Sequence, residues 1–259
     1  MPYIPKGYLP SLEDALRRKP TCFQLDDAEH DLGPATLVFS QDGGPVRTIA
    51  TGRRVIPTGV YPSRKAGRPL PWESQYEQKF FYFSEVDTNV VMYRAQMFRI
   101  DFKEANRSYI VDCVRQLSTG QIEVVEVKKN KTLIGTFEYQ QKLNAVRKVC
   151  HQLGWNFRLI LGDRLQEPQW YYDAIFDIQS WRLTQYTSED IYRVAQAVSL
   201  TGAMPMELLA RDIGGEQLGA AKLKAMMIQR VVRLDLSSPL SGSTPVSLLE
   251  NFVSNGRSQ

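Results

Sequence analysis

The spacing of apolar residues predicts alternating helices and strands through the middle of the chain. Residues 72–85 (WESQYEQKFFYFSE) follow a proline and carry three phenylalanines that give the segment an apolar side, which predicts a helix. The elements predicted after it are strands at 92–102, 107–117 and 121–129, a helix at 137–152 and a strand at 156–162. This order predicts an α/β core of the size of one domain.

The pattern changes at about residue 168, where helices begin to dominate. Thr187 to Asp190 form a helix start, and Gly202 ends that helix. The other elements predicted here are helices at 170–181, 205–214 and 215–230, then a strand at 231–236 and a turn-rich return into a second strand. Three helices followed by a β-hairpin favour a winged-helix domain. The alternative is any small helical domain with a C-terminal hairpin.

Prolines and glycines shape the predicted domain boundaries. Five prolines and the run Gly43-Gly44-Pro45 predict an irregular segment over residues 1–46. A chain of 259 residues has room for about two domains. We therefore expect an α/β domain over 47–167 and a winged-helix-like domain over 168–259.

The basic residues are distributed unevenly along the chain. Lys and Arg number 32 against 28 Asp and Glu, a net charge of +4 with both histidines neutral. The stretch 47–71 holds six bases and no acid: Arg47, Arg53, Arg54, Arg64, Lys65 and Arg68. It is either a solvated loop or an arm that contacts phosphates.

Composition excludes several classes of protein. A hydrophobic fraction of 43% excludes disorder for most of the chain. No apolar run reaches the length of a bilayer, and the start MPYIPKGYLPSLED lacks the apolar core of a signal peptide. We therefore expect a soluble intracellular protein without a membrane partner. Three cysteines and two histidines, with no CxxC or HxxxH pair, argue against structural zinc.

The candidate chemistry lies on two predicted neighbouring strands. Glu126 and Lys128 are two residues apart and face the same side of one strand. A turn at 118–120 can bring Asp112 beside them, and Glu73 or Glu77 from the preceding helix can complete the group. Clustered carboxylates repel one another unless a cation compensates, and Mg²⁺ prefers such oxygen ligands. The set therefore predicts metal-assisted phosphodiester hydrolysis.

The acid-x-Lys pattern by itself is weak. It occurs three times in the chain, and only at 126–128 does it lie in an apolar strand that follows an Asp-bearing strand and a turn. The alternative interpretation of Glu126 and Lys128 is an exposed cross-strand charge pair.

Longer stretches make the interpretation more specific. The run GVYPSRKAGRPLPWESQYEQKFFYFSEVDTNVVMYRAQMFRIDF, then RSYIVDCV, then EVVEVKK, resembles the TnsA family, the endonuclease subunits of heteromeric bacterial transposases. The resemblance covers roughly residues 59–165. It implies a restriction-endonuclease-like core, a mixed central sheet flanked by helices. Met97 and Val111 stand where the family often has proline.

The resemblance also implies residue roles. Glu77, in the Ser-x-x-Glu match, becomes the helix carboxylate, with Glu73 as its rival. Asp112 becomes the central metal ligand, Glu126 the second strand carboxylate and Lys128 the catalytic lysine, and the Val127 carbonyl can also reach metal. Mg²⁺ is the expected cofactor, with Mn²⁺ as a substitute. The residues expected to contact DNA are Arg53, Arg54, Arg64, Lys65, Arg68, Lys129 and Lys131.

The implied function is cleavage at the 5′ ends of a transposable element. The implied partners are double-stranded DNA at the transposon ends, a DDE-type transposase and an AAA+ ATPase regulator, all in the bacterial cytoplasm. Two alternatives remain: a stand-alone restriction- or repair-type endonuclease on the same fold, and a non-catalytic DNA-binding regulatory subunit.

Overall fold

The computed structural model describes residues 29–40, 43–47 and 57–249. Arg53, Arg54 and most of the predicted irregular segment lie outside the described residues. The described residues form two compact units. We call 29–84 with 89–165 the α/β unit, and 85–88 with 166–249 the helical unit. Within the described ranges, no helix is both long and apolar enough to cross a membrane.

The α/β unit contains most of the strands. In chain order its elements are β1 Glu29–Asp31, β2 Ala35–Phe39, β3 Gly59–Ser63, β4 Arg68–Trp72, α1 Gln75–Val86, β5 Val90–Ala95, β6 Phe98–Phe102, β7 Arg107–Ile110, β8 Cys113–Leu117, β9 Ile122–Lys128, a 3₁₀ turn at Lys131–Ile134, α2 Phe137–Gln152 and β10 Asn156–Leu161. The last two residues of α1 are counted with the helical unit.

A mixed sheet with the order β10-β9-β8-β5 forms the centre of this unit. β10 runs parallel to β9, and the other neighbours are antiparallel. Alternate residues of β9 face opposite sides: Val124 packs with α2 residues such as Val146, whereas Val125 packs with α1 residues such as Phe81. Burial on both faces explains why β9 is apolar apart from Glu123, Glu126 and its last residue, Lys128. The expected mixed sheet between helices is compatible with this arrangement.

Two long predicted strands are each broken in the structure. Segment 92–102 divides into β5 and β6 at Gln96, and segment 107–117 divides into β7 and β8 at Asp112. β6 and β7 leave the central sheet and join an antiparallel sheet of order β1-β2-β6-β7. Gln96 has a positive φ of 47°, and its N–H donates to the Asp112 carbonyl at 3.2 Å. The paired breaks therefore place Asp112 where the two sheets separate.

The prediction of irregular structure was wrong for residues 29–31 and 35–39, which form β1 and β2. Ala35 and Leu37 are fully buried in one cluster with Ile100 of β6. The short alternation of apolar residues in ATLVF therefore outweighs the flanking turn residues.

The solvated-loop interpretation of 47–71 was wrong where the structure describes its second half. β3 and β4 pair as an antiparallel hairpin. Tyr61 and Leu70 from this hairpin are buried against Phe81 of α1. Arg64 and Lys65 therefore lie in the turn of a packed hairpin, and Arg68 lies in its second strand.

The helical unit contains α3 Gln169–Ser180, α4 Ser188–Thr201, β11 Met204–Pro205, α5 Met206–Asp212, α6 Glu216–Ile228, β12 Val232–Leu234 and β13 Pro245–Leu248. Thr187 and Asp190 form the predicted capping box of α4. The three strands pair antiparallel in the order β11-β13-β12. A Cβ on Gly219 would lie 2.0 Å from the Ala210 carbonyl oxygen, so glycine is required where α6 packs on α5.

Candidate active site

Asp112 lies at the entrance to β8, immediately before the strand begins. The β8–β9 ladder pairs Cys113 with Val125, so Asp112 comes opposite Glu126 just beyond the ladder. The Val127 N–H donates to Asp112 Oδ2 at 2.8 Å. This hydrogen bond fixes the aspartate against the strand that carries the other two site residues.

The structure brings Lys128 to both strand carboxylates. Lys128 Nζ lies 2.7 Å from Glu126 Oε1 and 3.5 Å from Asp112 Oδ2. It also donates to the Val127 carbonyl at 3.2 Å. The side chain of Glu126 is only 2% exposed. The alternative of an exposed cross-strand charge pair is therefore wrong for Glu126.

Two tyrosines that the sequence analysis did not select complete the surroundings of Glu126. The Tyr109 hydroxyl of β7 donates to Glu126 Oε2, and the Tyr139 hydroxyl of α2 donates to Oε1. Lys142, one turn after Tyr139, lies over the Tyr109 ring at 4.6 Å and over the Tyr139 ring at 5.4 Å. Tyr109 belongs to the same predicted strand segment as Asp112, and Tyr139 lies in the first turn of α2, but no sequence pattern links either hydroxyl to Glu126.

The structure separates the two rival glutamates of the α1 region. Glu77 is buried, and its charge interacts with Lys128 and Asp112. Glu73 forms an ion pair with Arg47. Glu77 also caps the helix, because Oε1 accepts from the Ser74 hydroxyl and Oε2 from the Glu73 N–H, each at 2.9 Å. Ser-x-x-Glu therefore serves helix capping and also places a carboxylate near the site.

Burial and mutual repulsion perturb the site carboxylates. Burial first, and the charge of Glu126 second, raise the pKa of Asp112 well above its usual value, although Lys128 opposes the rise. Burial also raises the pKa of Glu77, against hydrogen bonds from Glu73 and Ser74 and the charge of Lys128. Such perturbed groups in one cluster are typical of functional sites.

At Lys128, in contrast to the carboxylates, the surroundings favour the charged form of the side chain. Burial acts to lower its pKa, but the charges of Asp112 and Glu126 outweigh burial, so the pKa of Lys128 lies above its ordinary value. The ammonium therefore stays protonated at neutral pH.

The donor set suits a divalent cation by its chemistry. Three carboxylates, Glu77, Asp112 and Glu126, face one lysine, and carboxylate oxygens are the ligands that Mg²⁺ prefers. Among the described residues, no three acidic, histidine or cysteine side chains are grouped as a ready metal cage. Hydrogen bonds from Ser74 and Tyr139 already occupy oxygens of Glu77 and Glu126 that a bound metal would need.

The described bases of the expected DNA-contacting set differ in their surroundings. Lys65 Nζ donates to the Ser84 carbonyl at 3.3 Å, and Arg68 donates to the Gly43 carbonyl. Lys129 and Lys131 are exposed directly after β9. These two lysines therefore give an exposed, positively charged surface that follows Lys128 directly in the chain.

A family model matches the segment that carries this site. Residues 70–162 match the model of the TnsA-like endonuclease N-terminal domain. The chain carries a TnsA-like endonuclease domain. A search of curated proteins finds no significant match.

The TnsA-like domain contains every residue of the candidate site, from Glu77 on α1 to Lys128 on β9. The resemblance seen in the sequence is confirmed, and the match supports nuclease activity and a role in transposition. The match ends before the helical unit. The winged-helix assignment of that unit therefore stays a prediction.

Proposed function

We propose that this protein is a metal-dependent DNA endonuclease that cuts the 5′ ends of a transposable element within a heteromeric cut-and-paste transposase. One observation carries the proposal: inside a TnsA-like endonuclease domain, the Lys128 ammonium lies beside both Asp112 and Glu126. A half-buried lysine beside two carboxylates, at the end of a central strand, suits phosphodiester hydrolysis.

The proposed cofactor is Mg²⁺, with Mn²⁺ as a substitute. Asp112, Glu77 and Glu126 would hold it, together with the Val127 carbonyl oxygen. A bound divalent cation supplies Lewis-acid stabilisation of the phosphate and a more acidic water. Binding it would also relieve the repulsion that raises the pKa of Asp112.

Lys128 has a defined part in this proposal. In the metal-free protein the charges of Asp112 and Glu126 raise its pKa and hold it as an ammonium beside both carboxylates. Its ammonium would orient the attacking water and stabilise the charge that develops on the phosphate. Asp112 and Glu126 keep that ammonium in one place, at 3.5 and 2.7 Å.

The partners proposed are double-stranded transposon-end DNA, a DDE-type transposase that cuts and joins the 3′ ends, and an AAA+ ATPase regulator. For the helical unit we propose a winged helix that binds either DNA or a protein. The helices α4 to α6, followed by the antiparallel pair β12 and β13, support that assignment.

The test is a reconstituted excision reaction. Wild type, Asp112→Asn and Lys128→Gln are each combined with the proposed DDE-type transposase partner, Mg²⁺ and DNA carrying the element ends, and breaks are mapped on both strands. We expect both variants to lose 5′-end cleavage and to retain 3′-end cleavage by the transposase. Cleavage of 5′ ends at the wild-type rate by both variants would overturn the proposal.

The same reactions separate the two alternatives. Sequence-specific cutting by the purified protein without any transposase would indicate a stand-alone endonuclease. A wild-type protein that binds end DNA, shows no Mg²⁺ or Mn²⁺ binding by calorimetry and leaves 5′ ends uncut would indicate a regulatory subunit.

A further inference from the structure

The Glu126 carboxylate accepts hydrogen bonds from three donors on three different elements. The Tyr109 hydroxyl of β7 donates to Oε2. The Tyr139 hydroxyl of α2 and the Lys128 ammonium of β9 both donate to Oε1. With its side chain 2% exposed, Glu126 is a buried junction between these side chains.

Lys128 depends on this junction for its position. A lysine side chain has four rotatable bonds, so its ammonium stays in one place only where fixed acceptors offset the loss of rotamer freedom. Its ammonium lies 2.7 Å from Glu126 Oε1, 3.2 Å from the Val127 carbonyl oxygen and 3.5 Å from Asp112 Oδ2, and the shortest of these distances is to Glu126. The position of the Glu126 carboxylate therefore sets the position of the ammonium.

Tyr139 differs from the other members in its place in the fold. It lies in the first turn of α2, where its N–H donates to the capping Thr136 hydroxyl at 3.3 Å. It is half-buried, whereas Tyr109 is buried. Through its hydroxyl, the start of α2 is tied back to the strand that precedes it in the chain.

The Lys142 ammonium packs against the rings of both Tyr109 and Tyr139. Its ammonium lies 4.6 Å from the Tyr109 centroid and 5.4 Å from the Tyr139 centroid, within the range of cation–π attraction. One cation thus spans both rings whose hydroxyls point to Glu126. The ring of Tyr139 stays supported even when its hydroxyl is removed.

We propose that Tyr139 is a positioning residue for the lysine of the nuclease site: its hydroxyl holds Glu126, and Glu126 holds the Lys128 ammonium beside Asp112. The proposal rests on the proposed nuclease function for its kinetic consequence. Its structural part, the order of the Lys128 ammonium, can be measured without catalysis.

The kinetic experiment compares Tyr139→Phe with wild type in single-turnover cleavage of end DNA by the full complex. Removing one hydroxyl leaves the ring and its packing, so DNA affinity and thermal midpoint are expected to stay unchanged. We expect the cleavage rate constant to fall about 10- to 100-fold, because small displacements of a catalytic group have effects of this size. Tyr192→Phe is the matched control, since Tyr192 is 61% exposed on α4 and should show no loss.

The second readout is the NMR signal of lysine Nζ in ¹⁵N-lysine-labelled protein without DNA. The Lys128 signal is assigned by its absence in Lys128→Arg. We expect it to be protected in wild type and in Tyr192→Phe, and to shift and broaden in Tyr139→Phe.

The outcomes distinguish the two proposals. A Tyr139→Phe variant that cleaves at the wild-type rate with an unchanged Lys128 signal overturns the positioning role. A rate loss matched by equal losses of DNA affinity and thermal stability, with an unchanged Lys128 signal, also overturns it. If wild type itself cleaves nothing, the nuclease proposal fails, whereas a shifted Lys128 signal in Tyr139→Phe still supports the link from Tyr139 to Lys128.

Discussion

The backbone N–H of Val127 donates to the carboxylate of Asp112 at 2.8 Å, across the point where β8 begins. The hydrogen bond joins the strand break at Asp112 to the strand that carries Glu126 and Lys128. A single acceptor oxygen on residue 112 therefore has a structural role, and the negative charge on the same side chain has a separate, functional one. The two roles can be separated by substitution.

Asp112→Asn is expected to stabilise the metal-free protein while abolishing cleavage. Asparagine keeps an oxygen for the Val127 N–H and removes a buried charge that Glu126 and Glu77 repel. Because burial and the charge of Glu126 disfavour the charged form of Asp112, its loss should add about 0.5–2 kcal/mol, the usual range for a stabilising substitution. Thermal unfolding in EDTA measures the change.

Asp112→Ala is the matched control, since it removes both the charge and the acceptor. It should be less stable than Asp112→Asn by about 1–3 kcal/mol, the cost of an unsatisfied buried N–H. An asparagine variant that melts below wild type would show that the site charge is not a source of strain.

Two substitutions of Glu77 are expected to separate its role in helix capping from its proposed role in catalysis. Glu77→Gln keeps an acceptor oxygen for one of the two hydrogen bonds at the start of α1, whereas Glu77→Ala removes both. We expect Glu77→Ala to lose about 0.5–2 kcal/mol of stability, the usual cost of a lost cap, and Glu77→Gln to lose less. Both should lose 5′-end cleavage, measured in the reconstituted reaction. Full cleavage by Glu77→Gln would limit Glu77 to capping.

The core of the site could be predicted because it depends on local rules. Glu126 and Lys128 share a face through the two-residue period of a strand, and a tight turn brings the Asp112 strand alongside. The turn is observed, with Gly120 at a φ of 84° and the Leu117 N–H donating to the Gln121 carbonyl at 2.9 Å.

The strand breaks and the tyrosines were not predictable in the same way. Segments 92–102 and 107–117 keep a strand-like pattern throughout, yet each changes sheet partway, because Gln96 adopts a left-handed backbone and bonds to residue 112. Tyr109 and Tyr139 reach Glu126 from separations of 17 and 13 residues. Periodicity shows that a tyrosine faces the core but does not identify the carboxylate that its hydroxyl meets.

Lys129 and Lys131 are expected to contribute to DNA affinity through phosphate contacts. Replacing both with glutamine should weaken binding to any DNA and reduce the salt slope by about 2, since each phosphate contact contributes about 0.9. Binding titrations from low to moderate salt measure the slope, and Lys148→Gln on α2 is the control. An unchanged slope in the double variant would exclude phosphate contact by these lysines.

The same experiment on Arg64, Lys65 and Arg68 needs a stability measurement beside it. Lys65 and Arg68 donate to backbone carbonyls of Ser84 and Gly43, so their loss can loosen the hairpin as well as remove charge. If these bases contact DNA, the triple variant should show a reduced salt slope even where its thermal midpoint is unchanged.

Arg115 and Glu123 form a buried ion pair on neighbouring strands, with side chains 6% and 7% exposed. Arg115 also lies over the Phe80 ring at 5.1 Å, and Arg158 approaches the other oxygen of Glu123 at 3.2 Å. Arg115→Met alone should cost about 3–5 kcal/mol, because it leaves a buried carboxylate poorly compensated. Arg115→Met with Glu123→Leu should recover much of that loss. Denaturant unfolding checks this, and a double variant no more stable than Arg115→Met would contradict it.

Asp190 is expected to give the helical unit a stability that depends on pH. Burial acts to raise its pKa, but hydrogen bonds from Lys222, at 2.9 Å, and from Thr187 outweigh burial, so the pKa of Asp190 is lowered. A carboxyl whose pKa is lower in the folded state adds stability above its unfolded pKa of about 3.9 and loses it as the pH falls through the folded value. Wild type should therefore melt at a higher temperature than Asp190→Asn at pH 7, and this difference in melting temperature should close as the pH falls below about 4.

Glu189→Gln is the control, because Glu189 is exposed in the same turn. Calorimetry across this pH range should give it only a small gap throughout. A gap for Asp190→Asn that widens with acid would show that burial, and not the Lys222 pair, dominates its charge.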